Sequence, residues 1–169
     1  KSISAGNIIA INNIIRGATQ HIKTDPSLKS LFLECIKTLT TLKNTSWIST
    51  IWFRDKDLLN GLTKTEAILV LDNLVYAHDV DYHTEDILAV FVDKYPEQII
   101  AYFYKRLKAK KLIKDIPRYE TLPFNLHELD QALRKHSDII VPLLLSWFDT
   151  KDEVEKLRTA HFFEAIFPE

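Results

Sequence analysis

"EDILAVFVDKYPEQIIAYFYKRL" (85–107) and "LHELDQALRKHSDIIVPLLLSWF" (126–148) align at an offset of 41 residues, and their agreement decides the fold. Leu88 falls on Leu129, Val92 on Leu133, Ile99 on Ile140, Phe103 on Leu144 and Leu107 on Phe148. Each block reads as a helix, a two-residue punctuation (Pro96-Glu97 and Ser137-Asp138) and a second, more apolar helix. Repeat-like units are therefore expected near 84–111 and 125–149. "FPE" at the end of the chain echoes "YPE" at 95–97, as though a third unit stopped after its first helix.

A helical hairpin returning every ~40 to 47 residues is the period of HEAT and armadillo arrays, whose neighbours bury one another's apolar faces. On these residues the region 84–167 resembles a HEAT-like α-solenoid. The phrase "RYETLPFNLHEL" (118–129) is similar to helical-repeat tails of large bacterial multidomain proteins, signalling NTPases of defence systems among them. The resemblance implies an all-α chain of antiparallel helical hairpins stacked as a short α-solenoid, with about eight or nine helices. It also implies a non-catalytic scaffold that mediates protein–protein recognition inside a larger protein.

The remainder of the chain is helical in period as well. Leu28, Leu31, Phe32, Cys35, Ile36, Leu39 and Leu42 follow the i, i+3, i+4 rule and predict one buried helical face. Asp25-Pro26 marks its start. Capping pairs at Thr63/Glu66, Asn125/Glu128 and Thr150/Glu153 predict further starts. After Thr150, the predicted amphipathic face is Val154, Leu157, His161, Phe162 and Ala165. Trp47, Ile48, Ile51 and Trp52 read as a buried stripe, and Trp147 as core. With only three glycines in the chain, an extended sheet built on tight hairpins is not expected.

Length and composition set the frame. A chain of 169 residues with 46% hydrophobic and 27% charged residues suits a single all-helical domain over 1–169. The balance of 22 basic against 23 acidic side chains gives no overall field toward nucleic acid or an anionic membrane. The lone Cys35 cannot form an internal disulfide and favours a reducing, cytoplasmic setting. The seven-residue apolar run Ile139–Leu145 is far short of the ~20 residues a membrane span needs. The chain lacks methionine and opens on Lys1, which leads us to expect an excised piece of a longer polypeptide.

Three stretches carry candidate chemistry. "AHDVDYHTED" (77–86) contains His78-Asp79, which resembles the paired ligands of HD-type metal-dependent phosphohydrolases. That family also needs an earlier histidine and a later aspartate, for which this chain offers only the distant His21 and the undistinguished Asp130, Asp138 and Asp149. The simpler expectation is a polar turn in which Thr84 caps the next helix, with Glu85 and Asp86 at its positive end. The second stretch, "KRLKAKKLIKDIPR" (105–118), holds seven basic residues and one acid. Lys108, Lys110, Lys111, Lys114 and Arg118 are candidates for phosphate or nucleic-acid contact, with Tyr119 and Phe124 available for stacking. A solvated helix end is the favoured alternative. The third, Leu112–Phe124, is long, lacks helical period, carries Pro117 and Pro123, and is the expected site of partner contact.

No glycine-rich phosphate loop, nucleophile elbow or paired-cysteine zinc motif occurs in the sequence. The expectation is a non-enzymatic module without cofactor or metal. Its partner is expected to be another protein or an adjacent domain of the same polypeptide; nucleic acid comes second, and no membrane is involved.

Overall fold

The computed structural model describes residues 5–51, 56–109, 116 and 118–168. Trp52, Lys110, Lys111, Lys114 and Pro117, all named above, lie outside them. The described residues form ten α-helices, two of them single turns, and one 3-10 turn, with no β-strand among them. The all-α expectation holds, and the count passes eight or nine because Ile48–Ile51 and Asp57–Asn60 close one turn each. The chain divides into two compact units, 1–76 and 77–169.

The first unit contains α1 (Ala5–His21), α2 (Leu28–Thr41), the short α3 (Ile48–Ile51) and α4 (Asp57–Asn60), and α5 (Lys64–Leu74). Helix α2 packs against both α1 and α5. Two neighbours demand a wider apolar face than a single stripe, which is why Leu33 is buried with Phe32, Cys35, Ile36 and Leu39. Leu31, expected on the buried stripe, is 44% exposed instead. Trp47, with no exposed surface, meets Phe32 edge-to-face at 6.1 Å, and Ile48 and Ile51 are buried as expected.

The buried side chain of Asn73 ties α5 to the end of α2 and to the loop that follows it. It accepts from Trp47 Nε1 at 2.5 Å and donates to Thr40 Oγ1 and to the Asn44 carbonyl, each at 3.1 Å. All the polar groups of this cluster are paired, as burial requires. The capping box expected at α5 is present: the Thr63 hydroxyl accepts from the Glu66 amide at 3.4 Å, and the Glu66 carboxylate accepts from the Thr63 amide at 2.8 Å. At the start of α2, Asp25 accepts from the Ser27 amide at 3.0 Å and from its hydroxyl, closing the turn that leads into the helix.

Helix α2 ends in a Schellman arrangement. The Asn44 amide donates to the Leu39 carbonyl at 2.9 Å and the Lys43 amide to the Thr40 carbonyl at 3.0 Å. This geometry places exposed Lys43 at φ 51°, a left-handed conformation that costs an L-residue roughly 1–2 kcal/mol. Lys43→Gly is therefore expected to raise stability by about 0.5–1 kcal/mol, less than the full strain because glycine also gains freedom in the unfolded chain. A urea midpoint shifted upward at unchanged slope checks it.

The second unit contains α6 (Tyr82–Val92), α7 (Pro96–Ala109), α8 (Leu129–Arg134), α9 (Ser137–Ser146), the 3-10 turn Trp147–Asp149 and α10 (Glu153–Ile166). Both aligned blocks fold as helix, short turn, helix, but the turns lie at 93–95 and 135–136; Pro96-Glu97 and Ser137-Asp138, expected as the punctuation, open α7 and α9 instead, with Pro96 where its missing N–H costs nothing. Nine of the ten aligned apolar residues are buried, and Phe148 is half-buried. Helix α6 packs on α8 and α7 on α9, while α10 packs on α8 and on the 3-10 turn. Phe162 of α10 seals this core, 4.6 Å from the Phe103 ring and stacked at 6.2 Å on Trp147, which is core as expected.

Three helix starts differ from expectation. Asp81, not Thr84, caps α6 and accepts from the Thr84 amide at 2.9 Å. Asp152, not Thr150, caps α10; the Thr150 hydroxyl instead donates to Glu155 at 2.9 Å. The buried face of α10, which packs on α8 and the 3-10 turn, is Thr159, Phe162 and Ile166, and the expected Val154 and Leu157 are exposed. No side chain of the Asn125/Glu128 pair caps α8, because a residue of α6 does so.

Candidate functional site

The segment 118–129 runs from α7 toward α8 without helix before Leu129, and two buried charged side chains fix its path. Arg106, fully buried on α7, donates to the Ala77 carbonyl at 2.9 Å and to the Glu120 carbonyl, and its guanidinium lies 4.6 Å over the Tyr119 ring. One planar fork thus holds two separate backbone stretches and stacks on an aromatic face, which an ammonium cannot do. The Glu120 amide donates to the His78 carbonyl at 2.9 Å, and the Glu120 carboxylate accepts from the Val80 amide at 3.4 Å. The turn 77–80 and the strip 118–122 are stapled together.

The second charge is Glu85, 3% exposed on α6. Its carboxylate accepts from the amides of His127, Glu128 and Leu129 at 2.9, 3.3 and 3.4 Å. These are free donors at the start of a helix, where negative charge is also favoured by the dipole. Between these two anchors Thr121, Leu122 and Pro123 are buried while Phe124 stands 66% exposed.

Phe124 faces α10, its ring 5.8 Å from that of His161. Residues 119–124 on one side and Arg158 and His161 on the other enclose a cleft of about 130 Å³. Tyr119 and Phe124, expected as contact residues, are thus brought together. Arg158 and His161 were missed, although their i, i+3 spacing on α10 places them on one face. Arg118 is exposed at φ 55° beside this strip.

Lys108 behaves differently. It pairs with Glu155 of α10 and lies 5.3 Å over the Tyr104 ring, so this cation joins α7 to α10. The hydrogen bond from Lys108 holds the Glu155 carboxyl below the usual range, and the same bond holds the Lys108 ammonium above its own. A depressed carboxylate contributes stability above its unfolded pKa and loses it as pH falls through the folded value. The coupling between Lys108→Ala and Glu155→Ala is expected to be about 0.2–1 kcal/mol at pH 7 and absent at pH 2, as read by a double-mutant cycle.

The acidic turn 77–86 is occupied with structure. Asp81 caps α6 and Glu85 caps α8, while half-exposed His78 and Asp79 face each other at 3.5 Å. Among the described residues no three His, Cys, Asp or Glu side chains gather as a metal would need. Burial, with the Glu34 charge beside it, pushes the Cys35 thiol up, opposite to what a nucleophile requires. No helix among the described residues is long and apolar enough to cross a membrane.

No family model, curated protein or solved structure matches the chain.

Proposed function

We propose that the chain is a recognition module of stacked helical hairpins, a short HEAT-like α-solenoid segment. It serves a larger, bacterial, cytoplasmic multidomain protein by binding a protein partner or an adjacent domain. The observation that carries this reading is the agreement of the two aligned blocks. Their first helices, α6 and α8, pack on each other, as do their second helices, α7 and α9, and nine of the ten matched residues are buried. The packing of α10 on α8 extends the same order by one helix. Such order leaves loops at the ends of rigid helices, where binding residues are held in place by the scaffold.

The contact surface in this reading is the strip 118–124 with Arg158 and His161. Phe124 supplies exposed aromatic area beside a cleft large enough for one side chain, and the strip beneath it is fixed by Arg106 and Glu85. A contact pre-organised in this way loses little entropy on binding. The test places a photo-crosslinking phenylalanine analogue at position 124, and in parallel at exposed Tyr82, in cells that produce the protein. A discrete protein adduct specific to position 124, and lost when Arg158→Glu is added, is expected. Equal labelling from both positions, or no adduct at 124, would overturn the reading.

A further inference from the structure

We propose that the cleft at Phe124 receives a single carboxylate side chain of the protein partner, an aspartate or glutamate beside an apolar residue. The proposal rests on the reading of the strip 118–124 as the contact surface and adds the chemistry of what it contacts. The guanidinium of Arg158, half-buried in the cleft wall, makes no ion pair or hydrogen bond among the described residues. Glu155, the nearest acid along α10, is held by Lys108 and by the Thr150 hydroxyl. Glu120 lines the cleft as well, but its carboxylate accepts from the Val80 amide at 3.4 Å and forms no ion pair with Arg158. A second polar group is also unpartnered. Thr121 is 6% exposed and lines the cleft, and its hydroxyl makes no hydrogen bond among the described residues.

A planar guanidinium takes a carboxylate through two parallel N–H donors, and a buried hydroxyl without a partner gains by donating to the same group. Size and charge narrow the occupant further. The cleft, at about 130 Å³, suits one side chain. Its permanent charges are the Arg158 guanidinium and the Glu120 carboxylate. A single negative charge is balanced by Arg158, whereas a phosphate dianion would bring excess charge toward Glu120, and a cation would meet like charge at Arg158. The rim selects what stands beside the carboxylate: Phe124 is 66% exposed with its ring 5.8 Å from that of His161, an aromatic surface for an apolar neighbour.

The probes are acetylated tripeptide amides of glycine, a variable centre and leucine, with glutamate, glutamine, lysine or phosphoserine at the centre. They are titrated into the isotope-labelled full chain and followed by the NMR shifts of the Phe124 amide and the Arg158 side-chain Nε. Saturable shifts at both positions are expected with the glutamate probe, which should bind about tenfold or more tighter than the glutamine probe, while the lysine probe should not saturate. Arg158→Gln should abolish the preference for glutamate over glutamine, with an unchanged circular dichroism melt establishing that the variant folds. Equal binding of glutamate and glutamine, tighter binding of phosphoserine, a preference that survives Arg158→Gln, or absence of saturable binding would overturn the proposal. The crosslink at position 124 keeps the two readings apart. An adduct there with no charge preference among the probes retains the contact surface and removes the carboxylate; loss of the adduct removes the surface itself.

Discussion

Replacing Arg106 by methionine is expected to destabilise the second unit by about 3–5 kcal/mol, a large part of the ~5–15 kcal/mol that holds an ordinary domain folded. Removing the guanidinium leaves the buried carbonyl of Ala77 and that of Glu120 without their donor. Each unpaired buried group costs roughly 1–3 kcal/mol, and the stacking on Tyr119 and Tyr102, at 4.6 and 5.9 Å, is lost as well. Methionine fills much of the volume, so the loss reports the polar contacts more than a cavity. Arg106→Lys is expected to recover little, because an ammonium cannot make the forked contact to both carbonyls while stacking on a ring. The local consequence is as informative as the global one. With the staple gone, the strip 118–124 should become sensitive to protease at concentrations that leave the parent chain intact. Urea unfolding together with limited proteolysis measures both effects; a variant within 1 kcal/mol of the parent and equally resistant would show that Arg106 is not what holds the strip.

Arg106 also marks where the sequence could have been read further. The run "KRLKAKK" has the composition of a solvated helix end, and counting charges places all of it on the surface. Helical spacing says otherwise for one member. Ile99, Tyr102, Phe103 and Arg106 recur at i, i+3, i+4 and i+7, so Arg106 lies on the buried stripe of α7, whereas Lys105 and Lys108 lie off it. That periodicity announces a buried cation but not its partners, which come from carbonyls 29 and 14 residues away in the chain. The same division separates the helix starts. The Thr63/Glu66 box was legible because both halves lie within one turn and satisfy each other. Asn125/Glu128 has the same form, yet the donors it would serve are taken by a carboxylate more than forty residues earlier. Local pattern states what is locally sufficient; it cannot see a stronger partner delivered by packing.

Misjudged faces have a related cause. A single-stripe reading of α2 assumes one neighbour, and the helix has two, so Leu33 is covered and Leu31 is not. In α10 packing on α8 and on the 3-10 turn selects a face at Thr159, Phe162 and Ile166, which strands Val154 and Leu157 in solvent. The aligned blocks escaped both errors. Comparing two stretches of the same chain cancels what is peculiar to either, leaving the positions that must be apolar in any hairpin packed against its neighbour. The candidate site drew the least from sequence. Tyr119 and Phe124 were visible as aromatics in an irregular strip, but Arg158 and His161 reach them only because α10 folds back onto this unit.

Glu85 is the second position where one substitution should have a large effect. Glu85→Ala is expected to cost about 2–4 kcal/mol, and Glu85→Gln about 1.5–3 kcal/mol, since hydrogen bonds to a charged group are worth roughly that much. The two variants separate the contributions at this helix start. Glutamine keeps an acceptor oxygen for the His127 amide but gives up the negative charge facing the first turn of α8, whereas alanine removes both and leaves three amides to find water. Helix α8 has only six residues, too few to be stable alone, so its order depends on this cap and on its packing against α6, α9 and α10. Hydrogen exchange at the amides of 127–129 should therefore rise in both variants, and by more in the alanine one, ahead of any change in the core of α7. If the amides of α8 stay protected while overall stability falls, Glu85 acts through burial alone. Because α8 packs on α6, whose Leu88 and Val92 are buried, loss of this single cap should loosen α6 as well.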